Sequence, residues 1–439
     1  DQGYGDVGAH GNPILKTPNM DKLRSQSVRF SDFSVSPCCA PTRCVLMTGM
    51  HEFKSGVTHT IPPYRDMNQK SHTIAQALKS AGYATGLFGK WHLGLGKTLA
   101  PHARGFDVSL TAKGDSQNSH NNPTLLRNGK SEKHKGFRTD ILFDEAMKFI
   151  ADKKAGPFFC YIPTYSPHAP LKCPAKFSDP YEGKCTKSEQ LFFGMIANID
   201  YNLGRLMDHL DKLELAENTL VILMNDNGAT KGTDVWNAKM RGTKGTTWRG
   251  GTRAISFWRW GGQFKPADVP DMTAHLDVYP TLVELAGATL PAATKANLDG
   301  ISLLPLLKGK PGGEGYNDRY LMTHRARWTN SADAHKSTYA AVRWKKYQMV
   351  TYNFKCGLKK CSSCAARRNQ KRWAYSAKNM AFHFKMTEDW ELYDLSKDPE
   401  QRKNIAADNK ELMTKMKAEF DTWWDEVRPM MIHEKNRTK

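Results

Sequence analysis

Short apolar runs bounded by polar residues alternate with amphipathic stretches through most of roughly the first 300 residues of the chain. Ala84-Thr85-Gly86-Leu87-Phe88, Phe158-Phe159-Cys160-Tyr161-Ile162 and Leu220-Val221-Ile222-Leu223-Met224 have the length and continuous apolar character of buried strands. Between them, Ile74 to Lys79 and Gln190 to Leu213 carry helical spacing, the second with Leu203, Leu206, Met207 and Leu210 on one stripe. Strands and helices in alternation bury both apolar sets when the helices cover a sheet on its two faces. The expectation is an α/β fold with a large mixed, mostly parallel sheet sandwiched by helices. In open sheets of this kind ligands collect beyond the carboxyl ends of the strands. That singles out Pro163 to His168 after one run and Asn225-Asp226-Asn227-Gly228 after another.

The texture changes after Leu298-Asp299-Gly300 and the Pro-, Gly- and Lys-rich stretch from Pro305 to Gly315. We divide the chain there, into 1–312 and a smaller α+β domain over 313–439. Within the second part, Tyr339 to Tyr352 reads as a hairpin, Cys356 to Lys371 as a basic excursion, and Glu411 to Val427 as a closing helix. Gly114 to Lys135 reads as a polar, irregular insertion in the first.

Sixty-four Lys and Arg against 44 Asp and Glu leave a formal charge of +20, a positive field that favours anionic partners. No nucleic-acid module accompanies that charge, so nucleic acid is not expected, whereas a sulfated polysaccharide fits the same field. Nor does any apolar run reach the ~18 residues that a membrane span requires.

The sharpest local signal is Cys39-Ala40-Pro41-Thr42-Arg43, a C-x-P-x-R run continued by an apolar helical stretch and Thr48-Gly49. A Cys before a helix is ordinarily structural or redox-active. Here further motifs accompany it: Ser55-Gly56-Val57-Thr58-His59-Thr60, Gly89-Lys90-Trp91-His92-Leu93-Gly94, Ser166-Pro167-His168-Ala169-Pro170 and Gly242-Thr243-Lys244-Gly245. With these, and from Asp1 to about Asn404, the chain resembles the type I, formylglycine-dependent sulfatases of the alkaline phosphatase superfamily. It is similar to their carbohydrate-sulfatase branch.

The resemblance implies that Cys39 is oxidised to formylglycine by a separate formylglycine-generating or sulfatase-maturating enzyme. One oxygen of the formylglycine hydrate would attack sulfur, and the other would later expel sulfate. It implies a divalent ion on Asp1, Asp226, Asn227 and the residue derived from Cys39; these hard oxygen donors suit Ca²⁺, with Mg²⁺ as the alternative. Arg43 would brace the diol and the metal-side carboxylates. Lys90 and Lys244 would bind the sulfate, and His92 would stand beside the formylglycine hydroxyl. His168 would act as general acid toward the leaving oxygen, since imidazolium titrates near neutrality, with Lys244 as the competing donor. Lys90 and His92 are two residues apart, so an extended segment would point both to one side. His59, Arg327 and Trp328, with His120 and Trp236, are candidates for the pocket mouth, where Arg grips an anion and an aromatic ring stacks on a sugar. His275 to Thr281 and Leu298-Asp299-Gly300 read as scaffold.

Two departures from the family pattern stand out. The usual pair of adjacent aspartates at the end of the first strand is represented by Asp1 alone, so that a preceding strand and a further ligand are expected to be missing from the sequence. Arg249 stands before Gly250-Gly251 where Glu is common, which would reshape an ion pair or add a contact to a polyanion.

The nine cysteines become eight if Cys39 is converted, an even number that permits disulfides or buried thiols in an exported protein. Cys356, Cys361 and Cys364 lack a fourth ligand at zinc-site spacing. The function expected is hydrolysis of sulfate esters on a carbohydrate by a periplasmic or secreted enzyme. The alternatives are a phosphonate or phosphodiester hydrolase of the same superfamily, or an inactive protein that binds sulfated glycans.

Overall fold

The computed structural model describes residues 1–112, 120–327, 333–352 and 390–436. Two mixed sheets occupy the first part of the chain. The first has the order β7-β8-β1-β9, formed by β1 (Val28–Ser34), β7 (Val221–Met224), β8 (Ser256–Arg259) and β9 (Ala267–Ala274). In it, β1 runs parallel to β9 and antiparallel to β8. The second has the order β5-β4-β3-β2-β6, formed by β2 (Ala84–Phe88), β3 (Val108–Ala112), β4 (Thr124–Arg127), β5 (Lys130–Lys133) and β6 (Phe158–Tyr161). Here β2 lies between two parallel neighbours, β3 and β6. This mixed arrangement with packed helices is the α/β class expected from the sequence.

The long helix Lys187–Lys212 starts at a capping box, Thr186 and Glu189 each accepting from the other's backbone N–H. Phe192, Phe193, Ile196, Ile199 and Leu203 pack with Leu15, Met20, Leu23 and Phe257, while Leu206 and Leu210 pack with Ala146, Phe149 and Ile150 of the helix Arg138–Lys153. Its stripe residues are therefore core.

The Gly114 to Lys135 stretch departs from the expectation of irregular structure. Its described part contains the hairpin β4–β5, turned by Asn128 (φ 46°) and Gly129 (φ 86°). Two consecutive positive φ values make the tight turn for which Asn-Gly is suited.

A third, antiparallel sheet, β10-β11-β12-β13, follows. Its strands are β10 (Tyr320–His324), β11 (Tyr339–Trp344), β12 (Tyr347–Tyr352) and β13 (Glu391–Asp394). The β11–β12 hairpin is where the sequence places it. Met416, Phe420, Trp424, Val427 and Met431 of the helix Lys410–Asn436 form one apolar face against Ala340, Val342, Met349 and Leu392. Phe53, from the segment after the Cys39 helix, is buried in the same cluster. Lys54 adds ion pairs to Asp299 at 2.6 Å and to Glu426 at 2.8 Å. The closing helix and third sheet are thereby fastened to the segment that follows Cys39.

Candidate active site

Segments leaving the carboxyl ends of β1, β2, β6 and β7 supply the site. Beyond β1, Cys38 is extended (φ −140°, ψ 149°) and Cys39 opens the helix Cys39–Thr48. Pro41 occupies the first turn, where the missing N–H costs nothing, and Gly49 closes the helix in the left-handed region at φ 66°. Every residue of this helix is buried. Cys39 therefore sits at a fixed helix N-terminus, whose unpaired amides and dipole favour an anion.

Arg43, one turn on, holds Asp226 with Nε at 2.9 Å and Nη2 at 2.7 Å from Oδ2, and its Nη1 donates to Lys90 O at 2.7 Å. Burial alone would raise the Asp226 carboxyl, but the charge of Arg43, with Lys90 and Lys244, holds it well below the usual range. Asn225 shapes the turn: its amide donates to Gln2 O and Asn227 O, and its Oδ1 accepts from Ile255 N–H. Asn225 lies in the segment singled out from the sequence, but its positioning role was not legible there, because it depends on Gln2 and Ile255, which only the fold brings opposite it. Lys244 forms an ion pair with Asp1, and Gly245 N–H donates to Pro37 O at 2.8 Å, which seats the Lys244 loop on the segment before Cys39.

Among the described residues no group of three His, Cys, Asp or Glu side chains is arranged around a common point. The expected set, however, is two carboxylates, one carboxamide and the residue derived from Cys39. Asn227 Oδ1 is fully buried with no hydrogen-bond partner among the described residues, while its amide donates to Asp226 Oδ1 at 2.5 Å. A buried carboxamide oxygen left unpaired beside an ionised carboxylate fits a hard cation.

The exit of β2 differs from the extended segment expected. Gly89 has φ 145°, a Cβ there would lie 2.1 Å from Pro163 O, and His92 has φ 68°. The chain thus turns, yet both Lys90 and His92 are buried beside Cys39. Burial would push the Cys39 thiol up, but Lys90, His92 and Lys244 outweigh it and hold the thiol well below its ordinary value. Burial lowers Lys90 to about 8 and His92 to about 4. His92 Nε2 donates to Thr60 O at 3.0 Å.

His168 is half-buried, and its Nδ1 donates to Ala169 O at 2.8 Å, which leaves Nε2 as the acid–base atom. Burial first, then Lys244 and Lys90, lower it to about 3. Lys90, His92, Lys244 and His168 are thus one electrostatically coupled group around Cys39.

The remaining candidates separate. Arg327 reaches Cys38 with a hydrogen bond and is held above its ordinary pKa chiefly by that neighbour, and its backbone N–H donates to Thr58 O at 2.9 Å. His59 lies on the same loop, with its ring 6.4 Å from Tyr64. His120 is buried rather than at a pocket mouth; its Nε2 donates to Pro170 O at 2.8 Å and braces the His168 loop. Trp236 points away toward the N-terminal segment, where Nε1 donates to His10 O at 2.9 Å. Trp328, Cys356, Cys361 and Cys364 lie outside the described residues. Cys38, Cys39, Cys44, Cys160, Cys173 and Cys185 are free thiols. Arg249 turns inward: it pairs with Asp32, which also pairs with Arg343, and its Nη1 donates to Ser34 at 3.0 Å.

Residues 1–288 match the family described as Sulfatase. The chain belongs to the sulfatase family. It is similar to arylsulfatase A of Homo sapiens, with 32% identity over 352 residues, 70% of this chain and 66% of that protein. With N-acetylgalactosamine-6-sulfatase of Canis lupus familiaris it shares 28% identity over 349 residues, 70% of this chain and 64% of that protein. The chain thus spans just under two thirds of the length of these sulfatases. In fold it is similar to the crystal structure of Ps i-CgsB in complex with k-i-k-neocarrahexaose, with a TM-score of 0.81, 26% identity, and coverage of 96% of this chain and 90% of that one. These sulfatase neighbours have the alkaline phosphatase-like fold.

Proposed function

We propose that this sulfatase-family chain hydrolyses sulfate esters on a carbohydrate, a unit of a sulfated polysaccharide or oligosaccharide, and releases inorganic sulfate. The observation that carries the reading is the placement of Lys90, His92 and Lys244 around Cys39 at a buried helix N-terminus, with the Arg43–Asp226 pair behind it. Two lysines and a helix terminus can hold a sulfuryl group, while Arg43 fixes the helix relative to the exits of β2 and β7. His168 Nε2 is the atom to pass a proton to a sugar alkoxide, because Nδ1 is occupied by Ala169 O.

Converted to formylglycine, Cys39 would supply a hydrate oxygen as nucleophile. Ca²⁺ or Mg²⁺, held by Asp1, Asp226, Asn227 and the oxygen of that converted residue, would draw charge from the sulfuryl oxygens. Cys39 is only 3% exposed, so a maturating enzyme has to meet it before the helix packs. A carbohydrate substrate is supported by the names of the relatives, one an N-acetylgalactosamine-6-sulfatase and the other holding a neocarrahexaose. The +20 charge supports a polyanion, and an exported protein, periplasmic or secreted, would meet one.

The test is sulfate release from a panel of sulfated glycans, with formylglycine at position 39 confirmed by mass spectrometry. Release from one glycan class supports the reading. Faster cleavage of phosphodiesters or phosphonates by the same protein would overturn it, as would tight glycan binding without turnover.

A further inference from the structure

Beyond the group around Cys39, the structure brings a second pair of cations to the same place. Arg325 and Arg327 follow β10, separated by Ala326. Arg325 is 7% exposed, and its Nε is buried with no hydrogen-bond partner among the described residues. No Asp or Glu among the described residues pairs with it; the neighbours that act on its charge are Arg327, Tyr352, Tyr339 and Cys38. Burying a guanidinium without a carboxylate is unfavourable unless another anion completes the site.

The Arg325 guanidinium is fixed from two sides. The guanidinium lies 4.8 Å from the Tyr339 ring centroid, and Tyr339 in turn packs edge-on against Tyr352 at 4.6 Å. Arg325 Nε and Nη2 lie 3.5 Å from where a Cβ on Gly245 would stand, so the group borders the backbone just after Lys244. Arg327 hydrogen-bonds Cys38, the residue before the nucleophile position. The backbone also carries strain here, with Ala326 at φ 57° and Arg327 at φ 69°. Two consecutive non-glycine residues in the left-handed region are sustained only where the surroundings over-determine them, a situation concentrated at ligand clamps.

We propose that Arg325 and Arg327 form a second oxyanion subsite beside the Cys39 centre, which binds another sulfate or carboxylate on the substrate and so selects doubly charged sugar units. This rests on the sulfatase reading above and names the substrate class more narrowly. Lys244 would hold the ester being cleaved, and the Arg325 fork would grip the neighbouring anion, for which planar paired donors are suited.

The test uses matched sulfated sugars, with and without a second sulfate next to the scissile ester, and a parallel pair with and without a uronate carboxylate. The wild-type enzyme is expected to show kcat/KM at least about tenfold higher for one doubly charged member than for its singly charged match, and the two arms tell which anion is taken. Arg325→Gln is expected to cut that ratio by about tenfold or more, mainly through KM. Arg325→Lys should restore only part, since it keeps charge but loses the fork. Equal kcat/KM for both members of both pairs in the wild-type enzyme overturns the subsite without reference to any variant's folding. A preference that survives intact in Arg325→Gln overturns it too. Failure to release sulfate from all four sugars and from simple aryl sulfates would instead remove the sulfatase reading.

Discussion

Arg43 donates twice to a single oxygen of Asp226 and once to Lys90 O, so one side chain joins the Cys39 helix to the exits of β7 and β2. Arg43 is buried and Asp226 half-buried, and removing the cation would leave an ionised carboxylate without its nearest compensation. Breaking a buried pair from one side costs about 3–5 kcal/mol. Arg43→Ala is expected to lose stability on that scale and to lose sulfate release by at least about a hundredfold, beyond what unfolding explains. Thermal melts and turnover below the melting range check it. A variant that melts with the wild type would show that Arg43 braces nothing.

Arg249 is committed to an internal ion pair with Asp32. Asp32 sits between Arg249 and Arg343, and burial together with Arg343 and Arg253 brings Arg249 down to about 9 despite Asp32. Arg249 is therefore held inside an ion-pair cluster, and a contact to a polyanion is not available to a side chain that points inward. Arg249→Glu would set a buried carboxylate against the half-buried Asp32. We expect it to destabilise the protein by about 3 kcal/mol or more, with Asp32→Asn in the same chain recovering part of the loss. Denaturant unfolding of the single and double variants measures both terms, and additive losses would contradict the coupling.

Local chemistry explains which features were legible in the sequence. Cys39, Arg43, Lys90, His92 and Lys244 lie in short motifs that resemble those of the sulfatases, and the structure brings them together. The apolar runs that became β2, β6 and β7 were equally readable as strands, although only β2 is largely buried and β6 and β7 are half-buried throughout. Asn225 and Arg325 were not, since their value depends on what the fold places opposite them: Ile255 N–H for one, Gly245 and Tyr339 for the other. The β4–β5 hairpin escaped because its strands, Thr124–Arg127 and Lys130–Lys133, are short and largely polar. Asn128-Gly129 was the signal that could have found it.

Glu52 gives a stability effect with a definite sign. Its carboxyl is 1% exposed, with His51 Nε2 at 3.5 Å, and burial raises it from 4.5 to about 7. A folded carboxyl that keeps its proton longer than the unfolded one favours the fold at low pH. That contribution is lost as pH rises from 4.5 to 7, by about 3 kcal/mol. His275 works in the opposite sense: burial lowers it to about 3, so its contribution is lost as pH falls below 6.5. Glu52→Gln should isolate the first effect. Its melting temperature is expected to exceed that of the wild type by an amount that grows from pH 4.5 to pH 7 and then levels. A constant offset would refute the assignment.

His168 carries the most direct test of acid catalysis. With Nδ1 committed to Ala169 O, only Nε2 can exchange a proton with a leaving oxygen, and burial with Lys244 and Lys90 lowers the ring to about 3 when no substrate is present. A bound anion opposes those two cations and so shifts the ring upward, though burial still acts against the charge, and the rate should fall as pH rises through its pKa in the complex. His168→Ala is expected to remove that alkaline limb and to lower kcat by about 10² to 10⁴ for a sugar sulfate, whose alkoxide needs protonation. An aryl sulfate with an acidic phenol departs without a proton, so the same variant should lose far less with it. Equal losses on both esters would show that His168 orients substrate and does not supply the proton.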